Sequence, residues 1–205
     1  MRLLRESSTK AYPSRPTSHV ARRFPHPLRP RRPRGILCDV IAAPTLVYRR
    51  IDPRADVALV ARHYHDAHVA TYGDAPSPGH RYRGDRDYLR CLAARVDEYP
   101  DGHVLALLDD GRVVGQLELQ VPYGLETGYV SLYYVAPAFR GLGFGRRMHA
   151  EYAERYFRSW EARRVELDVS RVNTRAVRFY LSIGYRFETE QSPTALLRRM
   201  ALVLG

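Results

Sequence analysis

Arg140 to Gly145 reads Arg-Gly-Leu-Gly-Phe-Gly, between a run of β-formers, Tyr129 to Val135, and a segment with helical periodicity that begins near Arg146. Glycines at a strand-to-helix turn let successive backbone N–H groups converge on an anion, and the helix N-terminus adds partial positive charge there. The chemistry this suits is capture of a phosphate or pyrophosphate. Taken alone, the run is equally compatible with a turn that is glycine-rich for steric reasons. Further along, Val165 to Val169 alternates Val, Glu, Leu, Asp, Val, the period of a strand, and Asn173 to Tyr180 opens a second helix that ends at Gly184. That helix offers an amide side chain at its start, Asn173, and a phenol about two turns later, Tyr180.

The order strand, Gly-rich turn, helix, strand, helix resembles the GNAT superfamily of acyl-CoA-dependent N-acyltransferases. Its pattern Val-x-Pro-x-x-Arg-Gly-x-Gly-x-Gly is present as Val135-Ala136-Pro137-Ala138-Phe139-Arg140-Gly141-Leu142-Gly143-Phe144-Gly145. The family's second pattern, Asn-x-x-Ala-x-x-Phe-Tyr-x-x-x-Gly-Tyr/Phe, is matched by Asn173, Ala176, Phe179, Tyr180, Gly184 and Tyr185. The resemblance covers roughly residues 46 to 205, and its motif-bearing part is Tyr129 to Phe187. It implies an α/β (α+β) GNAT fold, a central mixed, mostly antiparallel sheet of about six to seven strands flanked by about four helices. It also implies acetyl-CoA as co-substrate, no metal, and an acetyl group passed to a primary amine, of a small molecule or a protein, by direct attack in a ternary complex.

The residues fit that chemistry as follows. The amides of Gly141, Leu142, Gly143, Phe144, Gly145 and Arg146 can supply donors to a pyrophosphate at a helix start, and Gly143 and Gly145 are where a Cβ would most obstruct its approach. Arg140, by the family's motif, braces the turn near the phosphates. Arg146 and Arg147 either add Coulombic attraction or are simply solvated. The family further implies that the strand before the turn is splayed from its neighbour, leaving backbone groups of Tyr133, Tyr134 and Val135 to pair with the pantetheine arm. The Val135 N–H would then polarise the thioester carbonyl. Asn173 is read as a helix N-cap that also reaches the CoA arm. Tyr180 holds the family's position for a donor to the departing thiolate; its competing reading is packing, in a stripe with Ala176, Val177 and Ile183.

An alkylamine, with a pKa of about 10.4, is protonated at neutral pH, so a proton acceptor is expected. Glu118 is the first candidate, as a direct or water-relayed base, ahead of Glu126 and His149. His63-Tyr64-His65-Asp66-Ala67-His68 holds zinc-ligand residue types, but its order differs from the metallohydrolase pattern, and on a helix His63 and His65 diverge. Acceptor contacts or a solvated face are expected of it instead.

These groups need elements to hold them. Thr45 to Asp52 is expected to be the first strand, followed by a helix capped by Asp52 with Pro53 at its first position and Val57, Val60, Ala61 and Tyr64 inward. A Gly/Pro-rich loop, Gly73 to Gly84, leads to a helix from about Arg86 to Glu98, with Tyr88, Leu89, Leu92 and Ala93 inward. Val104 to Leu108 and Val113 to Val121 flank Asp109-Asp110-Gly111-Arg112, which suits a tight hairpin. In the latter strand Leu117, Leu119 and Val121 share one face, and Gln116, Glu118 and Gln120 share the other, which either lines an acceptor groove or is solvated. Phe144, Met148, Tyr152 and Tyr156 form an apolar row, and Tyr185 to Glu190 with Leu196 to Leu204 read as a closing hairpin. Acceptor specificity is expected in Ala61 to Leu92 and around Tyr123, where no motif names the amine.

The chain has 205 residues, 45% of them hydrophobic, and a net charge of +11. Residues 1 to 47 hold ten basic residues against Glu6 and Asp39, and seven of the 14 prolines. Residues 1–44 are therefore read as a basic, Pro/Arg-rich disordered tail and residues 45–205 as the GNAT N-acetyltransferase domain. With the charge concentrated in the tail, nucleic-acid binding is not expected of the domain. A signal or transit peptide fits the tail poorly, because Asp39 interrupts its apolar stretch and its prolines break an amphipathic helix. A start assigned upstream of the true one is a further reading, since Lys10 is the only lysine among 33 basic residues. No apolar run reaches membrane-spanning length, and Cys38 and Cys91 lack metal or disulfide spacing, so a cytoplasmic setting is the default. Oligomeric state is open, a homodimer included. The alternative function is a non-catalytic CoA-binding regulatory module whose basic tail engages an acidic partner.

Overall fold

The computed structural model describes residues 44–73, 84–122, 124–189 and 196–205, so the basic tail and the centre of the Gly/Pro-rich loop lie outside the described residues. Alternating β-formers give seven strands: β1 (Leu46–Arg50), β2 (His103–Leu108), β3 (Val113–Gln120), β4 (Thr127–Val135), β5 (Arg164–Ser170), β6 (Arg186–Phe187) and β7 (Leu197–Val203). They form one sheet in the order β1-β2-β3-β4-β5-β7-β6, and every neighbouring pair is antiparallel except β4 with β5. The helices are α1 (Val57–Tyr72), α2 (Asp85–Glu98), α3 (Phe144–Met148), α4 (Glu154–Ser159) and α5 (Thr174–Ser182). A π-helical turn, His149–Ala153, joins α3 and α4 into one rod, so four helical bodies accompany the mixed, mostly antiparallel sheet that the sequence led us to expect. No helix among the described residues is long and apolar enough to cross a membrane.

The core follows the strand periodicity. Leu117 and Leu119 of β3 and Val165 and Leu167 of β5 are buried together with Met148, Tyr156 and Phe157 from the α3 to α4 rod. A second cluster, Ile51, Val60, Tyr88, Leu92, Val96 and Leu105, fixes α1 and α2 to the sheet. Val57, expected inward, is exposed, because α1 starts later than the sequence suggested. Asp52 does cap backbone N–H groups, accepting from Arg54 at 2.8 Å and Ala55 at 3.1 Å, but these close a turn rather than open a helix. The N-cap position falls at Asp56, whose carboxylate is drawn away into a bidentate pair with Arg49, both bonds at 2.7 Å.

The polar face of β3 is another departure. Gln116 and Glu118 are buried rather than solvated, because α1 and α2 bring His63, Tyr88 and Arg95 against them. A strand carrying alternate polar residues can face inward only if every polar group finds a partner, and the helices supply those partners.

The feature that shapes the site is in the middle of the sheet. β4 pairs with β3 from Tyr129 to Val135, but with β5 only at Thr127↔Arg164, Gly128↔Val165 and Tyr129↔Glu166. Beyond Tyr129 the two strands part. The register of β3 on β4 runs from Glu118↔Leu132 to Leu119↔Val130, so Ser131 is an extra residue on β4, a bulge of the kind that bends its strand.

The Arg49–Asp56 pair supports a pH prediction. Hydrogen bonds from Arg49 hold the Asp56 carboxyl below its ordinary value. A depressed folded-state pKa contributes stability that is fully present above the unfolded value of about 3.9 and lost as pH falls through the folded value. Asp56→Asn is therefore expected to cost about 1 kcal/mol at pH 7, with the difference from wild type shrinking below about pH 4. Urea unfolding at pH 7 and pH 3 measures both.

Candidate active site

The parting of β4 and β5 opens a cavity of about 460 Å³. One wall is β4 from Val130 to Val135, the other is β5 from Leu167 to Ser170. The turn residues Phe139, Arg140, Gly141, Gly143, Gly145 and Arg146, the α5 residues Asn173, Arg175, Ala176, Phe179, Tyr180 and Ser182, and Asp66, Ala67, Ala70 and Thr71 of α1 complete the lining. The two motifs read from the sequence thus meet across one gap.

The glycine turn leaves a run of backbone N–H groups open. Gly143, the residue before α3, has φ of 82° in the left-handed region, where glycine is at ease and a side chain is strained. A Cβ on Gly145 would lie 3.2 Å from the Phe179 ring, so here glycine lets α3 and α5 close on each other. Arg147 is the first residue of the turn whose amide bonds back along the helix, to the Gly143 carbonyl at 3.1 Å; the amides of Gly141 through Arg146 have no acceptor among the described residues. Arg140 braces the turn as expected, its Nε donating to the Val135 carbonyl at 2.8 Å. Arg146 lines the cavity. Arg147 does not, being held by Glu151 and the Pro44 carbonyl. Leu142 and Phe144, expected among the binding residues, do not line the cavity; the Leu142 side chain is exposed at the tip of the turn, and Phe144 is buried against Phe139.

Along β4, alternation decides which backbone groups are free. The Ala136 N–H donates to the Val114 carbonyl at 2.8 Å, toward β3, so the Val135 N–H faces the gap. The expected run of free groups from Tyr133 to Val135 is thereby narrowed. Tyr134 pairs with Gln116 of β3, and its ring turns to α1, where it stacks on His63 at 4.3 Å and its hydroxyl donates to Asp66 Oδ2 at 2.6 Å. Burial, then the bond to Asp66, pushes the Tyr134 phenol up to about 12. The Tyr133 hydroxyl donates to the Gly145 carbonyl at 2.6 Å, which ties β4 to α3.

Asn173 caps α5, accepting from the Ala176 N–H at 3.2 Å, and lines the cavity as well. Tyr180 is buried among Tyr133, Phe179 and Tyr185, and its hydroxyl bonds to no described residue. It packs in that aromatic cluster and also lines the cavity. Burial raises its phenol well above the ordinary value, so it keeps its proton at neutral pH. Ser170, which the sequence did not single out, has a buried Oγ without a hydrogen-bond partner among the described residues, on the cavity wall. Free amides, the Val135 N–H and this hydroxyl are donors that a pyrophosphate and an amide-bearing pantetheine arm can use, so the lining fits CoA.

The expected bases are elsewhere. Glu118 does not line the cavity: its carboxylate is buried, accepts from the Tyr88 hydroxyl at 2.6 Å and Gln116 Nε2 at 2.9 Å, and lies 3.6 Å from Arg95. A direct base must come within hydrogen-bond reach of the proton it takes, and Glu118 is placed in the polar layer under α1 and α2 rather than on the cavity wall. Glu126 is exposed and paired with Arg163, while His149 is buried edge-on to Tyr185, where burial lowers its pKa. Of the histidine-rich stretch on α1, His63 bonds Gln116 Oε1 at 3.0 Å, and burial holds it neutral. No group of three or more metal-ligating side chains occurs among the described residues. Residues 74–83 and Tyr123, expected to shape acceptor specificity, lie outside the described residues.

Residues 63–185 match the model of the Acetyltransferase (GNAT) family, more than half of the chain. The chain belongs to that family. Its fold is similar to that of the PaiA N-acetyltransferase from Thermoplasma acidophilum in complex with coenzyme A, with 16% identity and a TM-score of 0.61 over 78% of this chain and 99% of that one. An acetyltransferase of the GNAT family from Staphylococcus aureus is 13% identical at a TM-score of 0.60, covering 78% and 100%. A spermidine N-acetyltransferase SpeG chimera from Vibrio cholerae and hSSAT is 15% identical at 0.54, covering 77% and 95%. No curated protein matches the sequence. At these identities the solved structures establish the shared GNAT fold.

If Glu118 serves the buried polar layer, Glu118→Gln is expected to lower unfolding stability by about 1 to 3 kcal/mol, as the loss of a charge-assisted bond does. It should reduce turnover by less than about tenfold, against the hundredfold or more expected for a direct base. Urea unfolding and steady-state kinetics on the same preparation separate the two.

Proposed function

We propose that this GNAT-family protein transfers the acetyl group of acetyl-CoA to a primary amine by direct attack in a ternary complex. The observation that carries the reading is the single cavity in which the unpaired amides of the glycine turn, the inward N–H of Val135 and the hydroxyl of Tyr180 are brought together. The turn and Arg146 take the pyrophosphate. The pantetheine arm lies in the gap that β5 leaves beside β4, with Ser170 and Asn173 at hand for its amides.

The amine nitrogen attacks the thioester carbonyl carbon, the oxygen gains charge against the Val135 N–H, and the carbon–sulfur bond then breaks with its electron pair on sulfur. Once bonded to carbon, the nitrogen becomes far more acidic and gives up its proton to solvent, leaving the acetamide. Tyr180 serves the sulfur as a hydrogen-bond donor. A thiol titrates near 8.5 and a phenol near 10, so full proton transfer to the thiolate is uphill even before burial raises the phenol further.

Incubation with acetyl-CoA and a panel of primary amines, followed by free-thiol release, tests the activity, and calorimetry with CoA tests the site. Tyr180→Phe is expected to lower kcat by about ten- to hundredfold while CoA affinity changes less than about twofold. Absence of CoA binding by the wild-type protein would contradict the reading.

A further inference from the structure

Two carboxylates line the cavity, and their surroundings differ. Asp168 is saturated: Arg199 Nε donates to its Oδ1 at 3.0 Å, and Arg199 Nη2 and the Tyr129 hydroxyl reach its Oδ2 at 3.1 and 3.0 Å. Asp66, on α1, has a neutral partner only. The Tyr134 hydroxyl holds its Oδ2 at 2.6 Å, and its Oδ1 has no partner among the described residues. Around it α1 contributes only small or satisfied groups to the lining, Ala67, Ala70 and a Thr71 whose hydroxyl donates to the Ala67 carbonyl at 2.8 Å. The α1 side of the cavity therefore presents small side chains and a carboxylate that forms no ion pair among the described residues, while the turn and α5 contribute Arg140, Arg146 and Arg175. That separation suits an anionic donor at one side and a cationic acceptor at the other.

We propose that the acceptor is an alkylamine that arrives as an ammonium ion and is held by Asp66 Oδ1, with Tyr134 and His63 fixing the carboxylate from behind. This rests on the acyl-transfer reading above and adds the class of its acceptor. The Tyr134 hydroxyl bond occupies one oxygen of this cavity-lining carboxylate and not the other, and the His63 ring against Tyr134, itself bonded to Gln116, keeps the phenol from swinging away. Asp66 acts as a counter-ion, and the bound ammonium passes one proton to solvent before its nitrogen attacks the thioester. A carboxylate-bearing acceptor whose anion faced α1 would be repelled at the same place.

The test compares butylamine, cationic at neutral pH, with aniline, uncharged there, as acceptors for wild type, Asp66→Asn and Asp66→Glu at saturating acetyl-CoA. Asparagine keeps an oxygen for the Tyr134 hydroxyl and replaces the other, charged oxygen with a neutral amide nitrogen. The kcat/KM ratio of butylamine to aniline is expected to fall about ten- to hundredfold in Asp66→Asn, chiefly through KM for butylamine, as the loss of a charged hydrogen-bond partner predicts. Asp66→Glu should retain most of the ratio. A ratio that stays within about twofold of wild type in Asp66→Asn, or falls equally in both variants, overturns the proposal. Wild-type protein that binds CoA by calorimetry but acetylates neither amine overturns the acyl-transfer reading, and this inference with it.

Discussion

Everything that makes this sheet a site follows from two parallel strands that stop pairing. β4 and β5 share three residue pairs and then separate, although each continues for several residues more. Buried strand edges are costly because their N–H and C=O groups lose water without gaining a partner, so a gap inside a sheet is sustained only if something fills it or solvent enters. Here the gap is wide enough to be a cavity, and the bulge at Ser131 lets β4 stay on β3 while it turns from β5. An extended ligand arm with amide groups can complete the ladder there, which is why the geometry favours pantetheine over a compact ligand.

Three side-chain contacts hold the gap in register with the glycine turn. Tyr133 anchors the Gly145 carbonyl, Arg140 clasps the Val135 carbonyl, and the Phe179 ring closes on Gly145. The Phe179 contact joins the second motif to the first, and the other two tie the first motif to the end of β4. The catalytic reading of Tyr180 and the binding reading of the turn are therefore not independent, because the same aromatic cluster of Tyr133, Phe179 and Tyr180 sets both.

The motif-bearing half was legible in the sequence because its chemistry is local. Glycine conformation, N-capping by Asn173 and strand alternation in Val165 to Val169 are decided within a few residues, and they came out as expected. What the sequence hid was long-range. Gln116 and Glu118 read as a groove lining or a solvated face because nothing near them in the chain shows that His63, Tyr88 and Arg95 will cover them. Asp66 lies in a histidine-rich stretch whose residue types suggest metal ligation, and only the fold brings Tyr134, far along the chain, onto its carboxylate. The late start of α1 has the same origin, since Arg49 on β1 claims the Asp56 carboxylate.

The central claim is that the gap between β4 and β5, with the glycine turn at its end, is where CoA binds. Residue-resolved hydrogen exchange of the full chain with and without CoA measures it most directly. The account predicts that the amides of Val135 and of Gly141 to Arg146 become protected on addition of CoA, while those of β1 and β2 do not change. Protection confined to other segments, or none at Val135 and the turn under conditions where calorimetry shows binding, would contradict it.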